Sequence, residues 1–188
     1  AADIIYQHMA PDTNLKILSV GAGLGVIEEQ LKNLGLHDIY VQEVANEAKT
    51  HLINYIDSER IFIGNFPECV QKNLKFDIIL FGGIDYLYDD QQFTKMLEDA
   101  EQLLVPNGKL FILSWSFYKP TIKNTVFYYI KELLIKFGYY NGRVQRWGFN
   151  RTVHEFRDIV TRRGMRMLAC VEDRAVAPWE TLFMSFSK

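Results

Sequence analysis

Three glycines at alternate positions, Gly21, Gly23 and Gly25, directly follow the short apolar run of residues 15–20. Glycine lets the backbone turn tightly and lets a ligand come close to main-chain amides, which can then bind it. The apolar run predicts a buried strand, and residues 26–34 have the apolar spacing of a helix. A glycine-rich loop between a strand and a helix is typical of sites for nucleotide-like ligands.

The spacing of these glycines distinguishes between two kinds of nucleotide site. The dinucleotide pattern G-x-G-x-x-G requires Gly or Ala at position 26, where this chain has Val26. The loop has the pattern G-x-G-x-G instead. A tight turn that binds no ligand is the alternative.

Strands and helices alternate after this loop. Apolar runs predict strands at residues 39–42, 60–63, 76–81 and 109–115, and helices are predicted at residues 46–56, 66–72 and 91–104. Asn46 is a candidate N-cap, and residues 105–108 predict a turn before the fifth strand. This order favours a parallel sheet with helices on both faces.

The C-terminal part departs from this alternation. Residues 152–163 predict a helix in which Thr152 and Glu155 form a capping box. Strands are predicted at residues 165–171 and 181–186, and the gap between them is too short for a crossover helix, so we expect an antiparallel hairpin. An aromatic and basic segment, residues 117–150, is inserted before this helix, with a helical stretch near residues 125–137.

Taken together, these features resemble the class I S-adenosylmethionine-dependent methyltransferases over nearly the whole chain. The family pattern is a strand, an acidic residue and then G-x-G-x-G, and here Ser19 stands at the acidic position. The family also has an acid at the end of strand two, here Glu43, and often Gly-Asp after strand three, where this chain has Gly64 and Asn65. The turn at residues 105–108 and the closing hairpin match as well.

The resemblance implies one α/β domain, Rossmann-like, over residues 1–188. Its seven-stranded sheet would be mainly parallel with an antiparallel last strand and helices on both faces, and residues 117–150 would form a small helical cap.

The resemblance also implies S-adenosyl-L-methionine as cofactor and S-adenosyl-L-homocysteine as product. Glu43 would accept hydrogen bonds from both ribose hydroxyls, because the two oxygens of a carboxylate suit a vicinal diol. Asn65 would accept a hydrogen bond from the adenine amino group, and Phe66 would pack on the ring. The expected cofactor-binding residues are Gly21, Ala22, Gly23, Gly25, Glu43, Val44, Asn65, Phe66, Phe81 and Gly82.

The methyl acceptor is expected at the carboxyl ends of strands four and five. Methyl transfer from a sulfonium is an in-line displacement, and a hydroxyl acceptor benefits from a nearby base. The catalytic candidates are Asp85, Tyr86 and His154, and the acceptor-binding candidates are Trp147 and Arg151. Each has a structural alternative, such as a turn residue, an exposed helix residue or packing in the cap.

Charge is unevenly distributed along the chain. Residues 1–118 contain 8 basic and 17 acidic residues, whereas residues 119–174 contain 12 basic and 5 acidic ones. The basic region suits a phosphate- or carboxylate-bearing acceptor, or RNA, and solvated helix faces are the alternative.

These observations predict methyl transfer to a small or medium-sized acceptor, such as a sugar, a sugar phosphate or a natural-product-like hydroxyl or amine. One alternative is an RNA methyltransferase that uses the basic cap. The other is a catalytically silent, methyltransferase-like partner subunit, because Ser19 and Asn65 replace the usual acids. The aromatic residues of the inserted segment could also form a homodimer contact.

The two cysteines, Cys69 and Cys170, are too few and too far apart for a disulfide framework. Their apolar neighbours predict buried free thiols and a cytoplasmic protein. No apolar run reaches the roughly 18–20 residues that a membrane-spanning helix needs, and no metal-ligand spacing is present, so neither a membrane partner nor a metal is expected.

Overall fold

A seven-stranded sheet forms the centre of the computed structural model, which describes residues 1–9, 14–114, 122–139, 149–173 and 181–187. The strands are β1 (Ile17–Val20), β2 (Ile39–Glu43), β3 (Ile61–Ile63), β4 (Phe76–Gly82), β5 (Leu104–Ser114), β6 (Arg166–Asp173) and β7 (Thr181–Ser187). Their spatial order is β3-β2-β1-β4-β5-β7-β6. Pairing is parallel from β3 to β5, and β7 lies antiparallel between β5 and β6, as predicted.

Helices cover both faces of this sheet. The helices of the described residues are α1 (Ala2–His8), α2 (Val26–Asn33), α3 (Lys49–Leu52), α4 (Asp90–Leu103), α5 (Ile122–Lys136) and α6 (Val153–Thr161). The predicted capping box of α6 is confirmed, because the Thr152 hydroxyl accepts from the Glu155 amide and the Glu155 carboxylate accepts from the Thr152 amide. These two bonds fix the start of α6.

Alternate residues of the strands divide the core into two clusters. On one face, Leu18 and Phe81 pack with Phe93 of α4 and Phe156 of α6. On the other face, Ile17 and its neighbours pack against α1 and α2. The period of two along a strand produces this division. It also points the Ser19 side chain toward α2, on the same face as Ile17.

The direction in which the sheet grows reverses between β1 and β4. From β1 the chain passes outward to β2 and β3, whereas β4 and β5 continue on the other side. Such a switch point leaves a crevice at the carboxyl ends of the strands, where open α/β sheets bind ligands.

Two of the predicted helices differ in the structure. Residues 66–72 form turns, with single bonds from the Cys69 and Val70 amides, and no helix. The helix predicted at 46–56 is a 3-10 turn (Asn46–Ala48) followed by the short α3, and its N-cap is Ala45 rather than Asn46. Weak helix formers such as asparagine, threonine, histidine and isoleucine fill this segment, which limits its length.

The structure differs from the prediction in three further features. Helix α1 was not expected from the sequence. The turn at 105–108 is present but lies inside β5, since Leu104 pairs with Phe76 and Lys109 with Ile78. The prediction that both cysteines are buried is wrong, because Cys69 is half-buried and Cys170 is exposed on the edge strand β6.

Helix α5 is the described part of the predicted cap. Residues 115–121 and 140–148, which include Trp147, lie outside the described residues. Within the part of the chain that is described, no helix combines the length and the apolarity needed to cross a membrane.

Candidate active site

The glycine loop after β1 is held by the end of β2. The Gly21 and Ala22 amides donate to the Gln42 carbonyl oxygen at 2.9 and 3.1 Å. The Gly23 amide donates to Oε2 of Glu43 at 2.7 Å. The predicted loop and the predicted acid therefore meet at the switch point.

The Glu43 carboxylate is nearly buried and is already bound by backbone amides. Its Oε1 atom accepts from the Val44 and Ala45 amides at 2.8 and 3.0 Å, and Oε2 accepts from Gly23. A carboxylate offers about four acceptor positions. One therefore remains, on Oε2, which suits one ligand hydroxyl rather than the two that the resemblance implied.

Gln42, which the sequence analysis did not identify, also holds the glycine loop. Its Oε1 accepts from the Gly21 amide at 3.2 Å, and its Nε2 donates to the Gly64 carbonyl at 2.5 Å. One buried side chain thus connects the glycine loop to the loop after β3. A polar residue within the apolar strand 39–42 was the available signal.

The glycines of the loop have different surroundings. A Cβ atom at Gly25 would overlap the Tyr55 hydroxyl and Leu52, and one at Gly21 would overlap Ile84, so both positions are closed by packing. At Gly23, where φ is +58°, a Cβ would have nothing within 4 Å. Gly23 therefore presents the open side of the loop, next to the Glu43 carboxylate.

The remaining residues predicted for the cofactor divide into surface and core positions. Val44 is 60% exposed, Asn65 is exposed and Phe66 is half-buried. Gly82 lies beside the glycine loop, where a Cβ would stand 3.6 Å from the Gly21 carbonyl oxygen. Phe81 is fully buried, with its ring edge-on to Phe66, so its side chain belongs to the core.

Asp85 lies just after β4, beside the end of β5. Its side chain is fully buried, and the Ser114 hydroxyl donates to Oδ2 at 2.9 Å. Among the described residues, Oδ1 has no hydrogen-bond partner. Burial raises the pKa of Asp85 to about 6, although the Ser114 hydrogen bond and then the Arg151 charge lower it. Ser114, which the sequence analysis did not identify, is thus the partner of the strongest acid–base candidate.

Arg151 is buried and bonded to this chain's own oxygen atoms. Its guanidinium donates to the carbonyls of Asp85 and Tyr88 at 2.8 and 2.7 Å and to the Asp90 carboxylate at 2.9 Å. It also lies over the Phe93 ring, 4.8 Å from the centroid. With 2% of its surface exposed, Arg151 holds the loop after β4, which favours the structural alternative over the predicted contact with an acceptor.

Of the other catalytic candidates, His154 lies on α6 and Tyr86 directly follows Asp85. His154 is exposed on α6, where it accepts from Arg157 of the same helix at 2.9 Å. Tyr86 is half-buried, and its carbonyl accepts from the Phe149 amide at 2.7 Å. Tyr88 is half-buried, and burial, followed by the negative charge of Glu43, raises the pKa of its phenol.

Asp85→Asn should change how stability depends on pH. The folded-state pKa of Asp85, about 6, lies above its ordinary 3.8, so the stability tied to its proton is fully present below about pH 4 and is lost as pH rises through 6. Asparagine keeps the shape and stays neutral. From pH 4 to pH 7 the variant should gain up to about 3 kcal/mol of unfolding free energy relative to the wild type.

Urea unfolding of both proteins at each pH measures this difference, and contributions of the other titratable groups cancel. A difference that stays constant from pH 4 to pH 7 would contradict the assignment of a raised pKa to Asp85.

Comparisons with known proteins identify the fold. Neither a family model nor a curated protein matches the chain. Among solved structures, a SAM-dependent methyltransferase from Methanosarcina mazei matches with a TM-score of 0.73 at 14% identity, covering 98% of this chain and 96% of the other.

Two further solved structures match the chain about as well. The pyocyanin biosynthetic protein PhzM matches at 16% identity with a TM-score of 0.72; the match covers 100% of this chain, which spans about half (54%) of PhzM. The 1,6-didemethyltoxoflavin-N1-methyltransferase of Burkholderia thailandensis was solved with 1,6-didemethyltoxoflavin and S-adenosylhomocysteine. It matches at 17% identity with a TM-score of 0.71, over 100% of this chain and 76% of its own. The chain therefore has the fold of the class I S-adenosylmethionine-dependent methyltransferases.

Proposed function

We propose that this chain transfers a methyl group from S-adenosylmethionine to a small or medium-sized organic acceptor. The observation that carries the proposal is the 2.7 Å bond from the Gly23 amide to the Glu43 carboxylate. This bond places a charged acceptor oxygen next to the open side of the glycine loop, at the switch point of a fold shared with methyltransferases.

The residues at this edge fit the cofactor. The remaining acceptor position on Glu43 Oε2 suits a ribose hydroxyl, and the exposed Val44 offers an apolar surface for a purine ring. The space at Gly23 allows close approach of a ligand to the loop. When bound, S-adenosylmethionine supplies the methyl group.

Asp85 is our candidate for the residue that accepts a proton from the acceptor. It lies at the carboxyl ends of β4 and β5, and its Oδ1 is the unpaired oxygen there among the described residues. A pKa of about 6 makes the carboxylate available as a base at neutral pH. Ser114 holds the other oxygen and so orients the group.

The acceptor class follows from the same site and from the structural relatives. A buried carboxyl suits an acceptor with a hydroxyl or an amine, such as a sugar, a sugar phosphate or a natural-product-like molecule. Relatives of this fold that are described as a pyocyanin biosynthetic protein and as a didemethyltoxoflavin methyltransferase support a small-molecule acceptor.

Binding of S-adenosylhomocysteine tests the cofactor half of the proposal. At about 100 times its dissociation constant, the ligand should raise the unfolding free energy by about 2.7 kcal/mol. Glu43→Gln should weaken binding about 10- to 100-fold, because the amide group cannot accept from backbone amides on both sides and loses the charge-assisted bond. Titration calorimetry and thermal unfolding measure both effects.

Glu47→Gln is the matched control, since Glu47 is exposed four residues later along the chain. Its affinity should stay within about twofold of the wild type. If the wild type shows no heat of binding and no thermal shift with millimolar ligand, the proposed function is wrong. If NAD binds instead, the loop serves a dinucleotide.

The acceptor half is tested by incubating the protein with S-adenosylmethionine and a panel of sugars, sugar phosphates, phenols and amines. Formation of S-adenosylhomocysteine above the level without acceptor identifies the class. Transfer to RNA rather than to any small molecule would overturn the proposed acceptor.

A further inference from the structure

A buried hydrogen bond links the two segments that flank the glycine loop. The Ser19 hydroxyl on β1 donates to Oε1 of Glu28 on α2 at 2.5 Å. Both residues are 1% exposed. Ser19 precedes Gly21 by two residues, and Glu28 follows Gly25 by three, in the first turn of α2. The Glu28 carboxyl therefore lies next to the loop, between the strand and the helix that the loop connects.

One oxygen of this carboxyl has no partner. Glu28 Oε2 and Asp85 Oδ1 are the buried side-chain atoms of the described residues that make no hydrogen bond. A buried polar atom without a partner costs about 1–3 kcal/mol, and more when the group is charged. Such an atom in a native protein calls for a specific explanation, such as a bound ligand or water.

Ionisation of Glu28 is also unfavourable at this position. Burial raises its pKa, and the opposing effects are the Ser19 hydroxyl and its own backbone amide. No positively charged side chain contributes to that balance among the described residues. A cation that arrived with a ligand would offset the cost of ionising this carboxyl.

The position of the loop indicates which part of a ligand could be this cation. Glu43, at the end of β2, is the proposed partner of the ribose, and its carboxylate is bonded to Gly23 in the loop that follows the neighbouring strand β1. Ser19, near the end of β1, and Glu28, in the first turn of α2, flank the same loop. The amino-acid end of S-adenosylhomocysteine carries an ammonium group, which is a hydrogen-bond donor and a cation.

We propose that Glu28 binds the cofactor and that its free oxygen Oε2 accepts a hydrogen bond from the ammonium group, directly or through one water. This inference rests on the proposed function. The helix α2 would thereby supply a carboxyl that the methyltransferase pattern carries on the strand, at the position that Ser19 occupies here. The Ser19 hydroxyl, which stands at that position, orients the Glu28 carboxyl through its hydrogen bond.

Two ligands separate this role from a purely structural one. S-Adenosylhomocysteine contains the amino-acid group, whereas 5′-deoxy-5′-methylthioadenosine has the same nucleoside and sulfur but lacks it. Glu28→Gln should weaken S-adenosylhomocysteine about 10-fold, the loss of one charge-assisted bond, and change methylthioadenosine affinity by less than about twofold. Calorimetric titration of each protein with each ligand measures this.

An exchange of the two residues provides the rescue. The double variant Ser19→Glu with Glu28→Ser keeps one buried carboxyl and one hydroxyl, with the same total number of side-chain atoms. It should bind S-adenosylhomocysteine within about threefold of the wild type, since the carboxyl returns to the same space. It also remains informative if Glu28→Gln does not fold.

The outcomes are distinguishable. Equal weakening of both ligands by Glu28→Gln, or no weakening of S-adenosylhomocysteine, overturns the role of Glu28. The role is also overturned if the exchange variant folds but does not bind S-adenosylhomocysteine. If neither variant folds, Glu28 belongs to the core and the role is overturned as well. If the wild type binds neither ligand, the proposed function itself fails.

Discussion

Gly23→Ala is expected to weaken binding of S-adenosylhomocysteine about 100-fold or more while the protein remains folded. The added Cβ meets no atom of the protein within 4 Å, so it enters the space that we assign to the ligand. A methyl group that occupies this space forces the ligand away from the Gly23 amide and from Glu43, and 100-fold corresponds to about 2.7 kcal/mol. Calorimetric titration measures the loss.

The cost of the backbone conformation has its own control. An alanine at Gly23 keeps φ near +58°, which costs about 1–2 kcal/mol of unfolding free energy for a residue with a Cβ. Gly164 has φ +83° and equally open surroundings, but it lies between α6 and the start of β6, at the opposite edge of the sheet. Gly164→Ala should therefore lose similar stability and keep its affinity. Equal affinity in both variants would place the ligand elsewhere.

The sheet could be predicted because its signals are local. Apolar runs marked the strands, and the nine-residue gap between residues 171 and 181 excluded a crossover helix and so predicted the antiparallel β7. The capping box of Thr152 and Glu155 is likewise a property of four consecutive residues. Where the local signal was weak, as at 66–72, the predicted helix did not form.

The candidate site was predicted in part. The glycines and Glu43 meet because strands β1 and β2 are neighbours with their carboxyl ends at one edge. The partners of Glu28 and of Asp85 could not be read from the sequence, since Ser19 and Ser114 are common residue types and the contacts depend on how distant segments pack. A hydroxyl that binds a buried carboxyl leaves no pattern along the chain.

For Arg151 the sequence suggested a ligand contact, whereas the structure shows bonds within the protein. In the sequence it belongs to a basic segment, and an arginine near an acceptor site suits an anionic substrate. In the structure its Nη1, Nη2 and Nε atoms donate to Asp85, Tyr88 and Asp90, which lie more than 60 residues away along the chain. Burial and bonding geometry, which follow from tertiary packing, decide its role.

Arg151→Met is therefore expected to destabilise the protein by about 2–6 kcal/mol, because each of the two carbonyls that lose their donor costs about 1–3 kcal/mol. Methionine keeps the apolar stem as far as the position of Nε, but it removes the guanidinium group that lies over the Phe93 ring and leaves the Asp85 and Tyr88 carbonyls without their donor. It also removes a positive charge that lowers the pKa of Asp85, so that pKa should rise further above 6. Urea unfolding at pH 7 measures the loss of unfolding free energy.

Two further variants separate the causes of this loss. Asp90→Asn removes the ion pair but keeps both carbonyl bonds, and it should cost less than about 1 kcal/mol because the Asp90 side chain is 75% exposed. Arg157→Met, on the exposed side of α6, should stay within about 0.5 kcal/mol of the wild type. If Arg151→Met is as stable as Arg157→Met and instead loses only turnover, then Arg151 binds an acceptor and the structural role assigned to it is wrong. A large loss in Asp90→Asn would instead show that the ion pair, rather than the two carbonyl bonds, holds the loop after β4.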